Sequence, residues 1–193
     1  TLILGPLEDM QKDTSLPTRQ AQKLSVIHQS ALRLLNLINQ ILEFRKTETQ
    51  NKKLCVCKSN IAPLVHEIGL KYKELNQKKA IDFQIQIEKE EMLLFFDKEI
   101  ITIILDNLIS NAIKYTEQGK ITLSLYPTTR NGVTYTEIKV SDTGYGISAE
   151  ALPHVFDRYY QESGKHQASG TGIGLALVRN LVELHEGEIR VES

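Results

Sequence analysis

Residues Asp106 to Thr116, DNLISNAIKYT, place two asparagines, Asn107 and Asn111, four positions apart in a run that is otherwise apolar almost throughout. On a helix that spacing sets both amides on one face. Asparagine is a poor helix former and is costly to bury without partners. The pair therefore either caps something local or faces a polar group that the chain does not itself supply. A side-chain amide oxygen can complete the shell of magnesium, a hard cation that takes oxygen ligands and retains water and phosphate oxygens. Lys114, one turn beyond Asn111, can offset phosphate charge, and Tyr115 can pack on a base.

Two glycine clusters follow, DTGYGIS from Asp142 and SGTGIGLAL from Ser169. The second opens directly into a helix, where uncrowded backbone amides suit a phosphate. Other phosphate motifs fail on spacing. GTGIG lacks the third glycine of a dinucleotide fingerprint, and no strand of a βαβ unit precedes it. Gly164-Lys165 is followed by His166 rather than Ser or Thr, so it is no P-loop. Asp142 either starts an Asx-turn or accepts from an exocyclic amine such as that of adenine. Each residue alone is ambiguous. In order, an amide pair, an aspartate with glycines and a glycine-rich helix start point to a nucleotide with magnesium.

The elements that position these residues are legible from periodicity. Asp97 can cap the helix carrying the asparagines, and Asn60 can cap another with Pro63 in its first turn. The buried face of that second helix reads Ile61, Leu64, Val65, Ile68, Tyr72 and Leu75. IDFQIQIE alternates as a half-buried strand. Residues 120–142 read as a hairpin turning at Asn131-Gly132, with a bulge expected where the phase switches between Tyr135 and Ile138. A short helix is expected from Ser148 to His154, a last one over residues 172–185 with Gly187 as its stop, and a strand in EIRVES. This order predicts an α/β fold, one mixed sheet covered by helices on one face. Upstream, Leu24, Ile27, Ala31, Leu34, Ile38 and Ile41 form a long helical stripe, and TLILGPLEDM reads as the tail of a preceding helix. The two make a helical hairpin, with His28 on its packing seam, and TETQNKK marks the boundary to the α/β part.

Composition bounds the function. With 23 basic and 24 acidic residues the net charge is −1, which argues against a nucleic-acid surface as the main business. No apolar run approaches bilayer-spanning length, so the chain reads as soluble. Cys55 and Cys57 have no second ligand pair at zinc spacing and read as reduced structural cysteines.

The ordered motifs resemble the GHKL ATP-binding fold, and within it the sensor histidine kinases of two-component systems. NLISNAIKYT is similar to the family's N box, DTGYGI to its first glycine box, FDRYYQ to its F box and GTGIGLAL to its second glycine box. LLNLINQILEFRK resembles the second helix of the family's dimerisation and phosphotransfer hairpin, and TLILGPLEDM the first helix just after its H box. The wording of both is closest to hybrid sensor kinases of the Bacteroides type.

The resemblance implies a two-layer α+β sandwich of the Bergerat type over residues 51–193, lacking its last strands. Residues 1–50 would form a partial hairpin lacking the H box. It implies ATP and Mg2+ as cofactors. Asp142 would hold adenine, with Gly144, Gly146 and Ile147 shaping the base pocket. Asn111 would ligate magnesium, Asn107 would assist directly or through water, and Lys114 and Tyr115 would contact phosphate and base or ribose. Gly170, Thr171, Gly172, Gly174 and Leu175 would wrap the phosphates, under a lid formed by QESGKHQAS. The implied partners are a second copy, giving a homodimer through the hairpin, and a response-regulator receiver domain, separate or fused. The implied setting is the cytoplasmic portion of an inner-membrane sensor.

Departures from the pattern shape the alternatives. The family's phosphoacceptor histidine falls before Thr1, and none of the five histidines present (His28, His66, His154, His166 and His185) takes its place. HEGEI stands where His-Gly-Gly is commoner. The hydrolase branches of the fold place a glutamate four residues before the magnesium asparagine; here that position is Asn107, which cannot take a proton. A third reading is a non-catalytic module that binds nucleotide or dimerises.

Overall fold

The computed structural model describes residues 3–11, 16–48, 53–76, 80–161 and 171–193. Two helices, α1 (Leu4–Gln11) and α2 (Thr18–Glu48), pack on each other as a hairpin. They lead into β1 (Cys57–Asn60), α3 (Ile61–Leu75), β2 (Ile81–Ile87), β3 (Leu93–Phe96) and α4 (Lys98–Tyr115). The hairpin β4 (Gly119–Arg130) and β5 (Val133–Asp142) follows, then a single 3-10 turn at Leu152–His154 and α5 (Gly174–Leu184).

Both expected caps form. Asn60 Oδ1 accepts from Ala62 N at 3.2 Å and from Met92 N at 2.9 Å. Asp97 Oδ1 accepts from Glu99 N at 2.9 Å and Ile100 N at 3.2 Å, while its Oδ2 accepts from Cys55 N at 2.8 Å. The backbone N–H of Asp97 donates to His185 Nε2 at 3.0 Å. One carboxylate thus starts the asparagine helix and ties it to the segment leaving the hairpin, and its backbone reaches the end of α5.

The sheet is mixed: β2 runs parallel to β4, and β4 antiparallel to β5. Ile121, Leu123 and Leu125 of β4 are fully buried beneath Val65 and Ile68 of α3 and Leu105 and Ile109 of α4. On the opposite sheet face Lys120 is exposed and Ser124 and Tyr126 half-buried, so helices cover one face. A second apolar cluster joins Ile100 and Ile104 of α4 to Ala176, Leu177, Val178 and Leu181 of α5. Helix α4 is therefore apolar on two sides because it is sandwiched between the sheet and α5. Each fully buried Leu or Ile contributes about 1.5–3 kcal/mol relative to exposure.

Beside the mixed sheet, β1 and β3 pair as a two-stranded antiparallel ribbon. Several expectations are corrected. β5 has no bulge; its register with β4 is unbroken from Val133 to Asp142. Tyr135 and Val133 simply face solvent, while Ile138 and Val140 pack against the core. The segment before residue 155 coils into one 3-10 turn, and residues 188–193 form no strand, having no ladder partner among the described residues. Leu75, the last residue of α3, is 65% exposed rather than on its buried face. The turn at Asn131 and Gly132 has both residues at positive φ, 50° and 78°, as the two-residue hairpin requires.

The stop of α5 holds a strained residue. Gly187 N donates to Val182 O at 2.9 Å, but the left-handed φ, 57°, falls on Glu186 rather than on a glycine. Glu186→Gly is expected to stabilise the chain by about 1 kcal/mol, the usual left-handed penalty of an L side chain. Denaturant melts check this; an unchanged or lower midpoint contradicts it.

Candidate nucleotide site

Three of the sequence motifs meet around α4. At its C-terminal end, Tyr145 N donates to Tyr115 O at 3.3 Å. A Cβ on Gly144 would stand 2.4 Å from Tyr115 O and 2.8 Å from Asp142 Oδ1, so only glycine lets the first glycine cluster lie this close to the helix. A hydrogen bond to Glu117 pushes the Tyr145 phenol above its ordinary pKa and clasps the same junction. Midway along α4, a Cβ on Gly174 would stand 2.9 Å from Asn107 Oδ1. The second glycine cluster thus begins α5 directly against the first asparagine. Gly172 has φ 68° and accepts from Tyr159 N at 2.8 Å through its carbonyl. The F box, Phe156 to Gln161, is thereby joined to the same corner.

Individual groups differ in availability. Asp142 Oδ1 accepts from Gly144 N at 2.9 Å, the Asx-turn, while the side chain remains exposed. Both readings of Asp142 coexist: one oxygen shapes the turn and the other is free to accept. Asn111 is half-buried and its amide bonds to no other described residue. Asn107, only 8% exposed, donates to Ile103 O at 2.8 Å and accepts from Gln40 Nε2 at 3.0 Å. Its amide is engaged at both ends. Lys114 Nζ donates to the Tyr115 hydroxyl at 2.9 Å and stands 4.5 Å from the ring centroid. Gly146, at φ 73°, and Ile147, whose N–H donates to Ser193 Oγ at 2.7 Å, form the outer turn of the first cluster. Thr171 Oγ1 accepts from Ile173 N at 3.2 Å and donates to Gln40 Oε1 at 3.3 Å. Leu175 is half-buried in the first turn of α5. Gly170 and residues 162–169 of the expected lid lie outside the described residues.

The donor set fits magnesium-ATP. It offers an unengaged amide oxygen on a helix, an aspartate with a spare acceptor, and a helix start where glycines keep the backbone bare. Asp106, the carboxylate nearest the asparagines, is turned away: it pairs with Lys71 of α3 at 3.3 Å, and its carbonyl accepts from the Tyr72 hydroxyl. Desolvation, with Asp106 adding to it, raises the Tyr72 pKa well above the ordinary value. No group of three metal-ligating His, Cys, Asp or Glu exists among the described residues, and Cys55 and Cys57 are exposed and unpaired.

Sequence reasoning missed the contribution of α2. Gln40 contacts both Asn107 and Thr171, and Phe44, one turn on, is buried in the α4–α5 cluster with the Arg158 guanidinium 4.7 Å from its ring centroid. A glutamine one turn before a phenylalanine in an apolar stripe was the available signal. The seam expected on α2 is partly as read: Leu24 is buried and His28 half-buried, 3.9 Å from Glu8 of α1. Ile27, Leu34, Ile38 and Ile41 are exposed in the single chain.

The profile of the family described as histidine kinase-, DNA gyrase B-, and HSP90-like ATPase matches residues 96–193, half of the chain. Histidine kinase P4 of Formosa agariphila is 34% identical over 99% of this chain, which spans 14% of that protein. Sensor histidine kinase YcbM of Bacillus subtilis is 32% identical over the whole chain, which spans 62% of it. Among solved structures, full-length ShkA in complex with AMPPNP shares the fold, with a TM-score of 0.72 at 24% identity, covering 94% of this chain and 37% of that one. The catalytic domain of histidine kinase ThkA aligns at a TM-score of 0.55 with 27% identity, covering 66% of this chain and 80% of that one. No described helix is long and apolar enough to cross a membrane. With that profile over half its length and histidine kinases similar to it from end to end, the chain belongs to the histidine kinase-, DNA gyrase B- and HSP90-like ATPase family, on the sensor histidine kinase side.

Proposed function

We propose that the chain is the ATP-binding catalytic part of a two-component sensor histidine kinase. The observation that carries this is the convergence on α4: Gly144 against the Tyr115 carbonyl, an approach that only glycine permits, and Gly174 against the Asn107 side chain. Residues 51–193 are the catalytic unit and residues 1–50 part of the dimerisation and phosphotransfer hairpin. Magnesium-ATP, when bound, supplies the transferable phosphoryl group and the counter-charge for its oxygens. The chain's own residues position it. Asp142 accepts from the adenine amine through the oxygen its turn leaves over, and Gly144, Gly146 and Ile147 bound the base. Asn111 offers its amide oxygen to magnesium, with Asn107 in support. Lys114 and Tyr115 swing from each other to phosphate and base or ribose. Thr171, Gly172, Gly174 and Leu175, with Gly170, surround the phosphates. Positioning and charge neutralisation account for most of phosphoryl-transfer catalysis, which is what such a set supplies. The AMPPNP held by ShkA supports a nucleotide here.

The hydrolase reading is disfavoured on two grounds. Asn107 stands where a water-activating glutamate would be, and Asp106 is committed to Lys71 on the far side of α4. In the parent protein, the acceptor is a histidine on the first hairpin helix, and the phosphoryl group passes on to the aspartate of a response-regulator receiver domain. The parent acts as a homodimer and is anchored in the inner membrane. The exposed Ile27, Leu34, Ile38 and Ile41 support dimerisation, since so broad an apolar stripe normally signals association.

Incubation with γ-labelled ATP tests the kinase reading. The present chain is expected to bind ATP yet retain no acid-labile, base-stable phosphate. A chain extended upstream through the H box and downstream by the final strands is expected to label. Labelling of the present chain at His28 would show the acceptor misplaced, and an unlabelled extended chain would favour a nucleotide-binding module.

A further inference from the structure

Helix α2 touches three of the four nucleotide motifs. Gln40 Nε2 donates to Asn107 Oδ1 at 3.0 Å, and its Oε1 accepts from Thr171 Oγ1 at 3.3 Å. Phe44, four residues on and so on the same helical face, lies under Arg158 of the F box and against Ile100, Ile104 and Leu177. The buried ring fixes where this face of α2 sits, and the amide then has two defined partners. One side chain outside the four nucleotide motifs thereby bridges the N box and the second glycine box.

Both partners are groups the proposed site needs. Asn107 is nearly enclosed, with one oxygen lone pair taken by Gln40 and the start of α5 pressed close enough that a Cβ on Gly174 would fall 2.9 Å away. A magnesium ion or its water approaching that oxygen would compete with Gln40 Nε2 for it. The Thr171 hydroxyl has one proton, and it is donated to Gln40 Oε1.

We infer that Gln40 is a positioning residue that sets the affinity of the nucleotide site: docked, it holds Asn107 and Thr171 away from magnesium-ATP, and nucleotide binding displaces it. This rests on the nucleotide-site reading above. Coupling of this kind is reciprocal, so whatever moves the Gln40 face of α2 changes ATP affinity, and ATP loosens that face by the same factor.

Titration calorimetry of the full chain with ATP and magnesium tests it. Gln40→Leu keeps the bulk of the side chain and removes both hydrogen bonds. It is expected to tighten ATP binding about fivefold, the equivalent of one typical hydrogen bond's net contribution. In an Asn107→Ala background the gain is expected to shrink below twofold, because the two residues act as a pair. Hydrogen exchange supplies a second readout that does not depend on Asn107→Ala folding: saturating magnesium-ATP is expected to speed exchange over residues 36–44 in the parent, and to change it little in Gln40→Leu. Loss of packing alone would weaken binding. Unchanged or weaker binding by Gln40→Leu, a gain undiminished without Asn107, or a slowing of exchange in α2 by ATP would each overturn the proposal. A parent chain that binds no ATP under any condition overturns the nucleotide-site reading itself, and is told apart from these by the flat parent titration.

Discussion

Gly144→Ala is expected to weaken ATP binding at least tenfold and to lower stability by about 1–3 kcal/mol, the usual range for overpacking. The added carbon would lie 2.4 Å from the carbonyl oxygen of Tyr115, a backbone atom at the end of a helix that cannot turn aside. Either the first glycine cluster lifts off α4 or the last turn of α4 unwinds. Both outcomes move Asp142, whose carboxylate is aimed by the turn that Gly144 closes. Gly132→Ala is the control. Unlike Gly144 it has a positive φ, 78°, and nothing lies within 4 Å of the added carbon. It should cost about 1 kcal/mol from the left-handed backbone and leave ATP affinity unchanged. Calorimetry and denaturant melts on both variants separate crowding from conformation; equal effects would contradict the close-approach explanation.

Asp97→Ala is expected to be the most damaging single change to the fold outside the apolar core, at about 3 kcal/mol. Loss of the cap on α4 contributes about 1–2 kcal/mol, and the orphaned Cys55 N–H about 1 kcal/mol or more. Asp97 is 5% exposed, so water can replace little of this. For a chain of this size the melting temperature should fall by roughly 6–12 °C. Asp97→Asn keeps an acceptor oxygen for the cap and should lose less than half as much. A drop under about 2 °C for Asp97→Ala would show that the carboxylate is not the junction described.

What the sequence reveals, and what it hides, follows from the range of the interactions. Caps at Asn60 and Asp97 were legible because each joins a side chain to a backbone only two or three residues away, and the Asn131-Gly132 turn because it needs two adjacent residues that tolerate positive φ. The two-sided apolar character of α4 was visible, but its cause, a sheet on one side and α5 on the other, was not. The bulge expected in β5 was a misreading of Val133 and Tyr135, apolar residues on a solvent face that imitate a change of phase. EIRVES alternates as a strand should, yet alternation states only a preference, and a ladder needs a neighbour. In the candidate site, residue types and order single out the asparagines, Asp142 and the glycines as candidates. Spacing suggested that Asn107 and Asn111 were alike; packing separates them, one nearly enclosed and bonded twice, the other half-exposed and unengaged. Gln40 escaped notice because its partners lie 67 and 131 residues away in sequence.

The central claim is that Asn111, Asp142 and the second glycine cluster form one magnesium-dependent ATP site. Titration calorimetry of the parent chain, Asn111→Ala and Asp142→Asn with ATP, each with magnesium and with chelator, tests it most directly. The parent should bind more tightly with magnesium. Asn111→Ala should bind about as the parent does in chelator and gain little from the metal. Asp142→Asn should bind roughly tenfold more weakly in both conditions, as expected for losing a charged acceptor to the base. Both variants binding like the parent, with the same response to magnesium, would contradict the site.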